Sequence, residues 1–227
     1  MKNLKVIFGA LSMLTLGSAN ASSLVLDSFN YNPGLELSVS SNAGAGIMSG
    51  SAISLESGAD ADYTLTHLSG AGFDTARANF GSSGQLKYSE ESGVDGQLAI
   101  DYSIAGGAVA LDFTGYDGFY FDVASIDGNG GFDVLLSLED SDGTMISASY
   151  TVTTIGRFIA SFGDMTTSID YINFDFSLVS KASTLITSVG DDDDFSLEEV
   201  GLVPEPSAIA ILGLGLVGLG LRRRKLV

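Results

Sequence analysis

The chain has 227 residues, 45% of them apolar, and carries a formal charge of −18 with no cysteine, which excludes disulfides, thiolate metal sites and cysteine nucleophiles. Lys2, Lys5, Arg222, Arg223, Arg224 and Lys225 are six of its ten basic residues, so the stretch between the ends holds a net −23. Such a body repels nucleic acid and anionic lipid and attracts divalent cations or basic partners.

Residues 1–21 open with Lys2 and Lys5, continue through an apolar run from Val6 to Leu16 and end on the small-residue pair Ala19 and Ala21. This is the three-part layout of a secretory signal peptide. As a helix the run would reach only about 16 Å, half the hydrocarbon core of a bilayer, so it is too short for a stable anchor. Cleavage after Ala21 is expected.

The body, residues 22–202, lacks long helical periodicity and alternates with period two instead. Phe119, Phe121 and Val123 alternate with Tyr120, Asp122 and Ala124, and Phe132, Val134, Leu136 and Leu138 form a second such face. Asp140-Ser141-Asp142-Gly143 predicts a turn, after which Ile146, Ala148, Tyr150 and Val152 face inward on the returning strand. Ile172, Phe174, Phe176 and Leu178 predict one more strand. In the first half, Leu24–Phe29, Asp62–Leu68, Gln85–Tyr88 and Gln97–Ile104 read as strands, and Asn42–Gly50 as a loop or weak hairpin. Turn residues spaced between the runs suit an antiparallel β-sandwich, so the fold class is all-β. From the opening Leu26-Asp27-Ser28-Phe29 through Leu111–Phe121 to Asp194–Val200, the layout resembles the galactose-binding-like jelly roll of exported bacterial modules.

Candidate chemistry in the body is sparse. His67 is the sole histidine and sits among alternating strand residues, without the spacing of a nucleophile elbow or a ligand pair, so it reads as an ordinary strand position. Carboxylates are too numerous for any pair to be singled out for glycoside hydrolysis. Tyr31, Tyr63, Tyr88, Tyr102, Tyr116 and Tyr120 are either platforms for a glycan or rim residues of a sandwich core. Asp127–Asp133 reads as a turn. Asp191, Asp192, Asp193 and Asp194 repel one another, which a hard cation such as Ca²⁺ or open solvent would relieve. The jelly-roll resemblance implies a structural Ca²⁺ where first and last strands meet, which would make Asp27 a partner of that cluster.

Residues 203–227 close the chain. Val203-Pro204-Glu205-Pro206-Ser207 is held extended by its prolines, an uncharged stretch at 208–221 predicts a short transmembrane helix, and Arg222, Arg223, Arg224 and Lys225 form a cytoplasmic basic tail. These three ordered elements resemble the PEP-CTERM sorting signal. The resemblance implies recognition and cleavage by an exosortase-type enzyme near Pro204-Glu205-Pro206, an inner-membrane-anchored precursor, and delivery to the cell surface or extracellular matrix.

The expected protein is therefore a non-enzymatic surface or matrix module linked to exopolysaccharide, the alternatives being a carbohydrate-binding module or a glycan-active enzyme. Mass spectrometry of the extracellular protein is expected to find Ser22 as the first residue and an end near Glu205. Replacing Pro204, Glu205 and Pro206 with Ala should leave the precursor in the membrane; a surface protein that keeps Arg222–Lys225 would show that this end is not processed.

Overall fold

Alternating apolar residues bury one face of each strand, and a chain with a dozen such strands closes its core by stacking two sheets. In this computed structural model residues 23–30, 34–40, 47–52, 59–69, 75–81, 84–104, 110–127, 130–168, 170–190 and 194–205 are described. Ser23–Val203 forms one compact unit. Its strands are β1 (Leu24–Asp27), β2 (Glu36–Ser40), β3 (Ile47–Ala52), β4 (Ala59–Ser69), β5 (Thr75–Gly81), β6 (Gln85–Glu90), β7 (Asp95–Ile104), β8 (Tyr116–Asp127), β9 (Phe132–Asp140), β10 (Met145–Val152), β11 (Gly156–Ser161), β12 (Val179–Ser188) and β13 (Asp194–Pro204).

One sheet has seven strands in the order β11-β8-β13-β6-β5-β2, with β1 also paired to β13; the other has six, in the order β10-β9-β12-β7-β4-β3. Among the described strands, only β3–β4, β5–β6 and β9–β10 are consecutive and paired with each other, and from β2 onward all other consecutive strands lie in different sheets. The fold is thus an antiparallel, jelly-roll-like β-sandwich wrapped around a single core. Strand β13 carries β6 along Phe195–Leu197 and β1 along Val200–Leu202, so the first and last strands meet at Leu24↔Leu202.

Aromatic rings join the sheets. Phe195 of β13 stacks on Tyr88 of β6 at 4.9 Å and on Phe132 of β9, in the opposite sheet, at 4.5 Å. Tyr63 of β4 meets Phe80 of β5 across the same gap at 4.4 Å. The inward faces expected on β9 and β10 are found: Phe132, Val134, Leu136 and Leu138 are fully buried, and Ile146 and Val152 nearly so. The turn at Asp140–Gly143 is also found, with the Asp140 carboxylate accepting from the Asp142 and Thr144 amides at 3.0 and 2.9 Å.

Two local expectations are overturned. Ile172–Leu178 is not a strand but holds two 3-10 turns, Tyr171–Asn173 and Phe176–Leu178, and Ile172 is 89% exposed. Asp175 caps the second turn by accepting from the Ser177 amide at 2.9 Å, and its own amide donates to Asp140, so Asx chemistry outweighs the alternation. Within Asn42–Gly50, expected to be a loop or weak hairpin, Ile47–Gly50 instead belongs to β3, zipped to β4 from Ile47↔Thr66 to Ala52↔Ala61. Residues 42–46 lie outside the described residues.

Gly131 enters β9 at φ +78, and a Cβ there would stand 2.1 Å from the Val152 carbonyl oxygen. Gly143 has a similar φ of +82 but open space around it. In urea unfolding Gly131→Ala should therefore cost about 2–3 kcal/mol against about 1 kcal/mol for Gly143→Ala. Equal losses would show that the backbone around Gly131 yields without strain.

Candidate functional site

The outward face of the seven-stranded sheet carries a cleft of about 840 Å³ that crosses β2, β5, β6, β13 and β8. Strand register builds its floor. Glu36 stands opposite Asn79, Asn79 opposite Lys87 and Lys87 opposite Ser196, and the Ser196 hydroxyl lies 2.6 Å from that of Ser125 on β8. Because Leu37, Ala78, Leu86 and Phe195 point into the core, their neighbours Glu36, Asn79, Lys87 and Ser196 must point outward. The five residues form one polar row across five strands, roughly 19 Å at the usual strand spacing. Arg77 and Ser89, also paired in register, line the cleft on one side of the row, and Gln85 lies on the other with its amide donating to Glu198 at 3.2 Å.

Charge in this cleft is ordered. Lys87 and Arg77 are at its middle, Glu36 and Asp127 stand on the outer strands β2 and β8, and Asp194 adds a carboxylate from β13. Arg77 bonds Thr75 at 3.2 Å and faces Glu91 at 3.8 Å, both of that ion pair half-exposed and hence weak. Of the cleft residues the sequence singled out only Tyr88, as a platform or rim residue, and Asp194, as part of the acidic cluster; the polar row was not expected, because its side chains come from strands whose adjacency is set only by the sheet order. The alternation of Glu36–Ser40 and Thr75–Gly81 was the available signal.

Of the tyrosines read either as glycan platforms or as rim residues of the core, four are buried. Tyr63, Tyr88, Tyr102 and Tyr120 are at most 1% exposed, Tyr116 is half-buried, and Tyr31 lies outside the described residues. Burial of three of these rings is tolerated because their hydroxyls donate to carboxylates: Tyr63 to Asp27, Tyr88 to Glu90 and Tyr120 to Glu199. Arg157 further covers Tyr120, its guanidinium 3.9 Å from the ring centre, while it grips Asp122 with bonds of 2.8 and 2.5 Å.

Asp27 and Glu90 are buried in the same manner. Asp27 accepts from Tyr63 and from the Phe29 amide at 2.7 Å, and Glu90 accepts from Tyr88, from the Gly96 amide at 2.6 Å and from Ser188 at 2.7 Å. Loss of water pushes both carboxyls above the usual range, although the donated hydrogen bonds pull the other way. Asp140 goes in the opposite direction: desolvation is outweighed by the amides of Asp175, Thr144 and Asp142, which hold it low.

Asp27 and Asp194 stand apart in the sheet. Asp27 pairs with Val200, and Asp194 lies six residues back along β13, roughly 20 Å away, so the two do not share a cation. Both Asp27 oxygens are already taken, Asp194 accepts from the Glu90 amide at 3.1 Å, and Asp191–Asp193 lie outside the described residues. Among the described residues no group of three or more His, Asp or Glu side chains is placed to hold a metal ion. His67 is a buried strand residue whose Nε2 has no hydrogen-bond partner among them. Val203 and Pro204 end β13 and Glu205 is exposed beyond it. The remaining sorting residues Pro206 and Ser207, the stretch 208–221, the tail Arg222–Lys225 and the signal-cleavage pair Ala19 and Ala21 lie outside the described residues; no described helix is long and apolar enough to cross a membrane.

Residues 202–225 match the PEP-CTERM protein-sorting motif, which marks the chain as an exported protein. No curated protein matches it. Among solved structures, the family 11 carbohydrate-binding module of a cellulosomal cellulase of Clostridium thermocellum is similar at 13% identity and TM-score 0.42, over 82% of this chain and 96% of that one. The family 11 xylanase of Neocallimastix patriciarum is similar at 9% identity and TM-score 0.42, over 75% and 100%. PfGH50B is similar at 14% and 0.42 over 62% of this chain, which spans 22% of the length of that protein.

A carboxyl whose pKa is raised by folding adds stability that is fully present below its unfolded value of about 4 and lost as pH rises through the folded value. For Asp27 and Glu90 the melting temperature should therefore climb as pH falls from neutral toward about 4. Asp140, held low, loses its contribution as pH falls below about 4, so the curve should turn over there. Asp27→Asn should flatten the rise between neutral pH and about 4, measured by scanning calorimetry at constant ionic strength; an unchanged slope would remove Asp27 from the account.

Proposed function

We propose that this is a non-catalytic protein of the cell surface or extracellular matrix that holds exopolysaccharide in the polar cleft of its seven-stranded sheet. Its precursor is anchored in the inner membrane and is processed at the C-terminal sorting signal by an exosortase-type enzyme. The observation that carries the binding reading is the row Glu36, Asn79, Lys87, Ser196 and Ser125, flanked by Arg77, Gln85 and Ser89. A glycan offers dense hydroxyls that both donate and accept. An amide, an ammonium, a carboxylate and hydroxyls on a rigid, extended floor match that chemistry, and strand positions hold them without the entropy of ordering a loop.

The absence of exposed aromatic rings in this row means that binding rests on hydrogen bonds rather than on stacking, which favours modest affinity. The sole histidine lies on β4 in the opposite sheet, so the hydroxyls at Ser125 and Ser196 have no imidazole beside them to act as a base. The cleft's carboxylates, Glu36, Asp127 and Asp194, are the groups that release of reducing ends would implicate instead.

Affinity electrophoresis of the protein through gels containing the exopolysaccharide of the producing cells tests this. Retardation without release of reducing ends is expected. Asn79→Ala combined with Gln85→Ala should weaken binding about tenfold or more, at roughly 1 kcal/mol for each lost hydrogen-bonding group. Unretarded migration of the native protein would overturn the binding reading, and release of reducing ends would replace it with an enzyme.

A further inference from the structure

We infer that the cleft is selective for an anionic sugar, a uronate or a sulfate ester, seated at Lys87 and flanked by neutral sugars; this rests on the polysaccharide reading above.

The body between the terminal segments has 27 carboxylates for only four cations, Arg77, Lys87, Arg157 and Lys181. In so acidic a protein a basic side chain is expected to find a carboxylate. Arg157 does so on Asp122, Lys181 lies 3.1 Å from Asp101, and Arg77 lies 3.8 Å from Glu91. Lys87 has no ion pair and no side-chain hydrogen bond among the described residues, although it stands at the middle of the cleft floor.

The neighbours of Lys87 explain why. On a sheet a charged residue ordinarily faces an opposite charge on the adjoining strand. Both of its cross-strand partners, Asn79 and Ser196, are neutral, as are Gln85 and Ser89 two residues away on its own strand. The residues directly beside the ammonium are thus neutral hydrogen-bonding groups that suit a sugar ring around an acidic substituent, while the nearest carboxylates, Asp194 and Glu198, flank Ser196 on β13 and accept from the Glu90 amide and the Gln85 side chain. Arg77, in the adjacent row on β5, adds a second positive charge on the same side.

The cleft's carboxylates set a limit. Glu36 on β2, Asp127 on β8 and Asp194 on β13 would repel acidic sugars beside them, so a polymer charged at every residue fits worse than one with an acidic sugar among neutral ones. At physiological salt the repulsion from the rest of the acidic body is screened beyond about 8 Å, which leaves the local contact to decide.

The test measures binding of full-length protein, in detergent micelles and EDTA, to the producing cells' exopolysaccharide in three forms: native, carboxyl-reduced and desulfated. One modification should weaken binding about tenfold, the usual scale of a lost charge-assisted contact, and which one does so identifies the anion. Lys87→Gln should weaken binding of the native polymer to the same extent, have no effect on the insensitive modified form beyond that loss, and leave the already weakened form unchanged. Lys87→Arg should retain binding, and rising NaCl should weaken the native interaction more in the wild type than in Lys87→Gln. Equal binding of all three forms together with an inert Lys87→Gln would overturn the anionic selectivity while leaving the polysaccharide reading intact. Failure of every form to bind would overturn both.

Discussion

Two buried carboxylates do for this sandwich what a disulfide does in many exported domains. Asp27 reaches from β1 in the seven-stranded sheet to the Tyr63 hydroxyl on β4 in the other, and Glu90 reaches from β6 to the Gly96 amide on β7 and the Ser188 hydroxyl on β12. Neither contact lies in a β-ladder, so each fixes one sheet against the other. A carboxylate taken out of water without partners would be strongly destabilising; with two or three donors it is tolerable and directional. The tyrosine rings that supply those donors also stack in the core, so the polar pins and the apolar packing are one structure.

Fixing the sheets in this way frees the outer face. Because Tyr88 and Phe195 are committed inward, the residues between and beside them, Lys87, Ser89 and Ser196, are forced outward by the period of the strand. The cleft is thus the reverse side of the aromatic core. Its floor is as rigid as the packing behind it, and a small shift of β13 would misplace the Lys87, Ser196 and Ser125 row together.

Strand β13 joins the fold to the sorting signal. It pairs with β8, β6 and β1, and its last residues, Val203 and Pro204, are the first of the Val203–Ser207 motif. A proline ends a strand at little cost because it lacks only the donor that the ladder no longer needs. Pairing of Leu24 with Leu202 brings the first and last strands of the unit together.

The sequence by itself determined the fold class, the export signal and several strands, because period-two alternation and the Pro-Glu-Pro element are local patterns that any context preserves. Phe132 to Leu138 could hardly be read another way. It did not reveal β12, whose buried residues include Ala182 and Thr184 and give little hydropathic contrast, although that strand lies between β9 and β7. It misread Ile172–Leu178, where Asp175 and Asp140 hydrogen bonds override alternation, and it left open whether the tyrosines were platforms or core, which the partner carboxylates decide. The cleft was beyond its reach for a further reason. Glu36, Asn79, Lys87, Ser196 and Ser125 are scattered over 160 positions of chain, and only the order of strands within the sheet, which depends on pairings between distant segments, makes them neighbours.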